Sequence, residues 1–165
     1  PQAGIIAGRR DIIAQLKSHP LMRAVRIDKL SLAALEATLR LYRAPHNPVV
    51  DVPVLAMLAE PLAQVEERAQ RLRQMLEQIG IEQVSVCASI AYAGAGSLPD
   101  QDLDSFAVAI AIPEHTAEAL STALRTSTPP VIGRISREQV MLDMRTVQPE
   151  ELAQIVDALR RITAP

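Results

Sequence analysis

Apolar side chains recur along this chain in two rhythms, steps of three and four in some stretches and alternation in others, and the changes of rhythm mark its elements. Ile12, Ile13 and Leu16 predict a short helix over 10–18. It stops at His19-Pro20, because the residue before proline avoids helical dihedrals. Leu32, Leu35, Leu39 and Tyr42 predict a second helix over about 30–43, broken by Ala44-Pro45-His46-Asn47-Pro48. Leu55, Leu58, Leu62, Val65, Ala69, Leu72, Leu76 and Ile79 then form one long stripe, bent at Pro61 and closed by Gly80. Such a seam also fits a coiled coil, but a single helix with an internal proline more often lies across a sheet.

Alternation takes over after Gly80. Val84, Val86, Ala88 and Ile90 predict a strand over 83–92, and a second strand is expected over 105–112. Ala117, Leu120 and Leu124 predict a helix over 114–126. Residues 131–136 and 139–145 read as a hairpin, although its Arg137-Glu138 tip lacks the glycine or asparagine of a tight turn. Leu152, Ile155, Val156, Leu159 and Ile162 give the last helix its buried side. Near the start, Ala3-Gly4-Ile5-Ile6-Ala7-Gly8 fits the end of a buried strand.

Helix, strand, strand, helix, hairpin, helix is the order of an α+β domain, an antiparallel sheet covered by helices. The Pro/Asn-rich break places a boundary near residue 46, between units 1–45 and 46–165. With 165 residues, 48% hydrophobic and 22% charged, the chain holds enough apolar material for a packed core and is not a disordered sequence. Seventeen Lys+Arg against nineteen Asp+Glu leave a formal net charge of −2, which argues against whole-surface attraction to nucleic acid or anionic lipid and leaves room for a local basic patch. The lone Cys87 forms no internal disulfide and reads as a buried thiol in the cytoplasm. No apolar run approaches the ~20 residues of a membrane span, and the first residues lack the pattern of a signal peptide.

His19, His46 and His115 are scattered, so no metal site is expected, and no phosphate-binding glycine loop or nucleophile motif occurs. Two arginine groupings are more informative. Arg23 and Arg26 are three apart, beside Lys29; in a helical turn they would share a face and fork onto a phosphate. In the hairpin, alternation points Arg134 to one side of its strand, and Asp143 and Arg145 to one side of theirs. That face could hold a carboxylate, or be ordinary surface with Asp143 as the counter-ion.

Pro1 to Arg9, Arg26 to Leu39, Gly96-Ser97-Leu98-Pro99, Pro129 to Ile135 and Leu142 to Val147 together resemble the bacterial selenocysteine synthases, the L-seryl-tRNA(Sec) selenium transferases. A related pyridoxal-phosphate ammonia lyase and a free-standing binding or oligomerisation module are the alternatives. The resemblance implies a fold-type-I enzyme dependent on pyridoxal 5'-phosphate. Residues 1–45 would be the tail of its catalytic domain with the connecting helix, and 46–165 its small C-terminal α+β domain. It places the Schiff-base lysine just upstream of Pro1, so that no catalytic residue falls in this stretch and the chain alone is expected to be inactive. It also implies a reaction. Serine esterified to the selenocysteine tRNA loses its hydroxyl to give an aminoacrylyl intermediate, and selenium from selenophosphate adds to the double bond. Arg23 and Arg26 match the family's arginines for selenophosphate, while Gln2, Ser97 and Arg145 would lie near the active site. The full protein would be a homo-oligomer, a ring of dimers, in the cytoplasm.

Overall fold

The computed structural model describes residues 3–93 and 102–164. The chain divides into two compact units, Pro1–Ala56 and Met57–Pro165. Helices α1 (Arg10–Ser18), α2 (Leu21–Ala24), α3 (Lys29–Arg40) and α4 (Pro48–Asp51) belong to the first unit, and α5 (Pro53–Ala59) runs across the division. Each start has a local cause. Asp28 caps α3 by accepting from the Leu30 and Ser31 N–H groups at 2.8 and 2.9 Å, and Asn47 caps α4 from the residue before Pro48. The Pro/Asn-rich break at 44–48 thus opens a short helix inside this unit.

None of residues 3–56 is buried. Ile5 is 71% exposed and Leu30 84%. Residues 3–9 form no strand, which corrects the expectation for Ala3 to Gly8: a strand needs a partner for its N–H and C=O groups, and every described strand lies between residues 84 and 143.

The second unit has a core. Helix α6 (Leu62–Gln78) buries Val65, Ala69, Leu72 and Leu76, the predicted stripe, but Pro61 separates it from α5 instead of bending one continuous helix, since its ring and missing N–H end the ladder there. At the other end Gly80, at φ 87°, lets the chain turn back, with Gly80 N–H donating to the Glu77 carbonyl and Ile81 N–H to that of Leu76. Strands β1 (Val84–Ala91) and β2 (Leu103–Ile110) follow, then α7 (Ala117–Arg125), β3 (Arg134–Ser136), β4 (Gln139–Asp143) and α8 (Leu152–Thr163). All pairings are antiparallel, in the order β1-β2-β4-β3.

One face of the sheet carries the core. Val108, Ile110, Val140 and Leu142 pack with Leu72 and Leu76 of α6, Leu120 and Leu124 of α7, and Ile155 and Leu159 of α8. Gly133 is needed at the edge, because a Cβ there would meet Val140 Cγ1 at 2.7 Å and Leu142 Cδ2 at 3.0 Å. On the other face the small side chains Ala107 and Ala109 lie with Met141 and Cys87, and none of the helices contributes a residue to that cluster. Cys87 is half-buried, its thiol directed at the Ala107 carbonyl 3.6 Å away.

Candidate functional site

Arg23 and Arg26 do not share a helical face. Helix α2 ends after Ala24, where Val25 N–H closes onto the Leu21 carbonyl, so Arg23 stands on the last helical turn and Arg26 on the irregular segment that follows. Both are exposed, and Asp28 begins α3 two residues later. Three hydrogen bonds from Leu30 and Ser31, the Ser31 hydroxyl first among them, hold the Asp28 carboxyl below its ordinary 3.8. That carboxylate is thus committed to the helix end.

In the second unit the alternation read for the hairpin stops at Asp143. A 3-10 turn over Met144–Thr146 follows, so Arg145 leaves the face that Asp143 occupies. Arg145 is only 4% exposed, and its Nη1 donates to the carbonyls of Met57 and Glu60, both at 3.0 Å, while Nη2 donates to that of Asp104. The guanidinium ties backbone together. It is turned away from any soluble carboxylate.

A second buried arginine, Arg68 at 7% exposure, lies within the apolar stripe of α6. Its Nη1 and Nη2 meet Glu60 Oε1 and Oε2 at 2.7 and 2.5 Å, and its Nε and Nη2 donate to the Met144 carbonyl. Glu60 and Met144 are thereby fixed to one helix face. The sequence did hold a sign of this, since an arginine three residues after Val65 and one before Ala69 falls on the buried side of its helix.

Asp143, at the end of β4, accepts from three donors. Its Oδ1 takes the Ser105 hydroxyl at 2.5 Å and Arg145 N–H at 3.1 Å, and its Oδ2 takes the Ser89 hydroxyl at 3.0 Å. Ser89 and Ser105 face each other in the β1–β2 register, two rows from the Ala107–Asp143 pair. The Ser89 oxygen in turn accepts from Arg134 Nη2 at 2.8 Å. Asp143 is therefore linked to Arg134 through a hydroxyl, on the sheet face opposite the helix-packed core. Neither serine stood out in the sequence, since only the strand register brings them to Asp143. Gln2 and Ser97, expected near a site, lie outside the described residues.

Among the described residues no helix is long and apolar enough to cross a membrane, and no group of three or more His, Cys, Asp or Glu side chains is placed to hold a metal ion. The second unit is thus an α+β domain with three helices on one sheet face and a hydroxyl-carboxylate-arginine chain on the other. A family model described as L-seryl-tRNA selenium transferase matches residues 1–148, and the chain belongs to that family. The L-seryl-tRNA(Sec) selenium transferase of Hyphomonas neptunium is 54% identical over 162 residues, 98% of this chain and 35% of the relative. That of Moorella thermoacetica is 44% identical over 161 residues, 96% of this chain and 34% of the relative. The Aquifex aeolicus protein of the same name is 40% identical over 162 residues, 98% and 35%. The chain thus spans about a third of the length of these relatives.

Lys17 and Lys29, the two lysines of the sequence, are both exposed, on the last turn of α1 and the first of α3.

Proposed function

We propose that this chain is the C-terminal third of an enzyme that converts seryl-tRNA(Sec) to selenocysteinyl-tRNA(Sec), taking selenium from selenophosphate. The observation that carries this reading is 54% identity to a selenium transferase along 98% of the chain. The serine α-proton and β-hydroxyl leave together as water, selenium bonds to the β-carbon of the resulting aminoacrylyl group while the α-carbon regains a proton, and water takes the phosphoryl group from the donor. Pyridoxal phosphate, when bound by the whole enzyme, would supply an electron sink for the α-carbon. In this reading residues 1–45 complete the catalytic domain and 46–165 are the small domain. The whole protein works in the cytoplasm as a ring of dimers, and the chain alone is inactive.

Arg23 and Arg26 bind and orient selenophosphate. A guanidinium carries a permanent charge and parallel N–H donors that match phosphate oxygens, and exposed arginines on two adjoining local structures are able to turn toward one anion. The test is selenium transfer by the full-length enzyme with Arg23→Ala and Arg26→Ala. A loss of about 10- to 100-fold in kcat/KM for selenophosphate is expected, with seryl-tRNA binding kept. Unchanged selenophosphate kinetics would reject the assignment.

A further inference from the structure

Arg134 stands out among the cations of the second unit because its position is built and its charge is unspent. Among the described residues its guanidinium makes one hydrogen bond, from Nη2 to Ser89 Oγ. The Ser89 proton goes to Asp143 Oδ2, and Asp143 is itself held by Ser105 and by Arg145 N–H. The carboxylate therefore orients the serine, and the serine fixes the arginine, without Asp143 forming a direct ion pair that would neutralise it. Arg68 and Arg145 differ in kind, being buried and bound to Glu60 and to backbone carbonyls. Arg134 is exposed.

The surroundings favour an oxyanion. Arg134 pairs with Met141 across β3–β4, on the face that also carries Cys87, Ser89, Ser105, Ala107 and Ala109. Ser105, Ala107 and Ala109 are buried there while Arg134 is exposed, so a ligand meets the guanidinium at the edge of that face, and Asp143 is the carboxylate within the chain of hydrogen bonds. A restrained guanidinium loses less side-chain freedom on binding than a mobile one, and among the described residues four of its five N–H donors have no partner. We propose that Arg134, positioned by Ser89 and Asp143, is a phosphate-binding residue distinct from Arg23 and Arg26.

The inference rests on the reading of the chain as part of a selenium transferase, which offers two phosphate sources: a phosphodiester of the tRNA and the selenophosphate group. The experiment uses the full-length enzyme carrying Arg134→Ala, Arg134→Lys or Ser89→Ala. The affinity of a tRNA(Sec) transcript is measured from 50 to 200 mM salt, and selenophosphate KM is measured separately. If the phosphate is on the tRNA, Arg134→Ala lowers the salt slope of log Kd by about one charge and weakens binding about tenfold, while Arg134→Lys keeps the slope. If it is on selenophosphate, KM rises about tenfold with the slope unchanged. Ser89→Ala keeps the charge and shows a smaller effect on the same quantity. Wild-type salt slope together with wild-type KM in Arg134→Ala would overturn the proposal. Failure of the wild-type enzyme to transfer selenium to seryl-tRNA would instead overturn the functional reading beneath it.

Discussion

Arg68 and Glu60 form a two-pronged ion pair, at 2.7 and 2.5 Å, in which the arginine is almost wholly buried and the glutamate nearly so. The same guanidinium holds the Met144 carbonyl, 76 residues away along the chain. Removing one partner strands the other charge out of water, and this asymmetry governs what substitution does. Glu60→Ala is expected to lower the stability of the chain by about 3 kcal/mol in urea unfolding. Glu60→Leu with Arg68→Met should recover more than half of that loss. A single-mutant cost under ~1 kcal/mol would mean that the pair is solvated.

Arg145 makes the complementary connection. Its hydrogen bonds reach carbonyls on Met57, Glu60 and Asp104, which lie in three directions from one planar group. Lysine offers a point charge without that fork. Arg145→Lys should therefore cost about 2 kcal/mol, most of it from hydrogen bonds to partly buried carbonyls that lysine cannot all replace. A thermal melt within a degree of the wild type would show that the clamp contributes little.

The hairpin tip joins β3 and β4 through Arg137 and Glu138, at φ 50° and 60°. Both have the left-handed conformation required by a two-residue turn of this hand, in residues whose Cβ resists it. Glu138→Gly is expected to raise stability by about 1 kcal/mol, and Arg137→Asn by less. An unchanged urea midpoint for Glu138→Gly would argue that the chain entropy glycine adds to the unfolded state cancels the relief.

Asp28 predicts an acid-sensitive helix start. Its folded pKa lies below 3.8, so its contribution is fully present above the unfolded value and is lost as the pH falls through the folded one. Carboxyl chemical shifts should titrate below 3.8, with the amides of Leu30 and Ser31 losing protection over the same range. Ser31→Ala removes the largest cause and should move the midpoint back toward the ordinary value. A midpoint unmoved by that change would contradict the assigned cause.

Much of the second unit was legible beforehand because its elements are amphipathic. Val65, Ala69, Leu72 and Leu76 marked α6, Leu120 and Leu124 marked α7, and Ile155 and Leu159 marked α8, since a face turned to the core must repeat with the period of its element. The four-stranded antiparallel sheet follows the expected α+β arrangement. The reading failed where burial depends on a distant partner. Ile5 and Ile6 look like strand residues but form no strand, and Pro61 divides a stripe whose period alone looked continuous.

The sequence by itself determined α6, α7 and α8, the glycine stop at Gly80 and the family to which the chain belongs, because each depends on residues close together or on an ordered string of them. Only the tertiary structure decided which arginines are free to bind a ligand. Arg145 and Arg134 are both hairpin-end arginines on paper, yet a 3-10 turn after Asp143 buries one against backbone carbonyls while Ser89 holds the other in the open. The physical reason is that a guanidinium's role depends on which acceptors surround it, and here they come from positions 41 to 88 residues away.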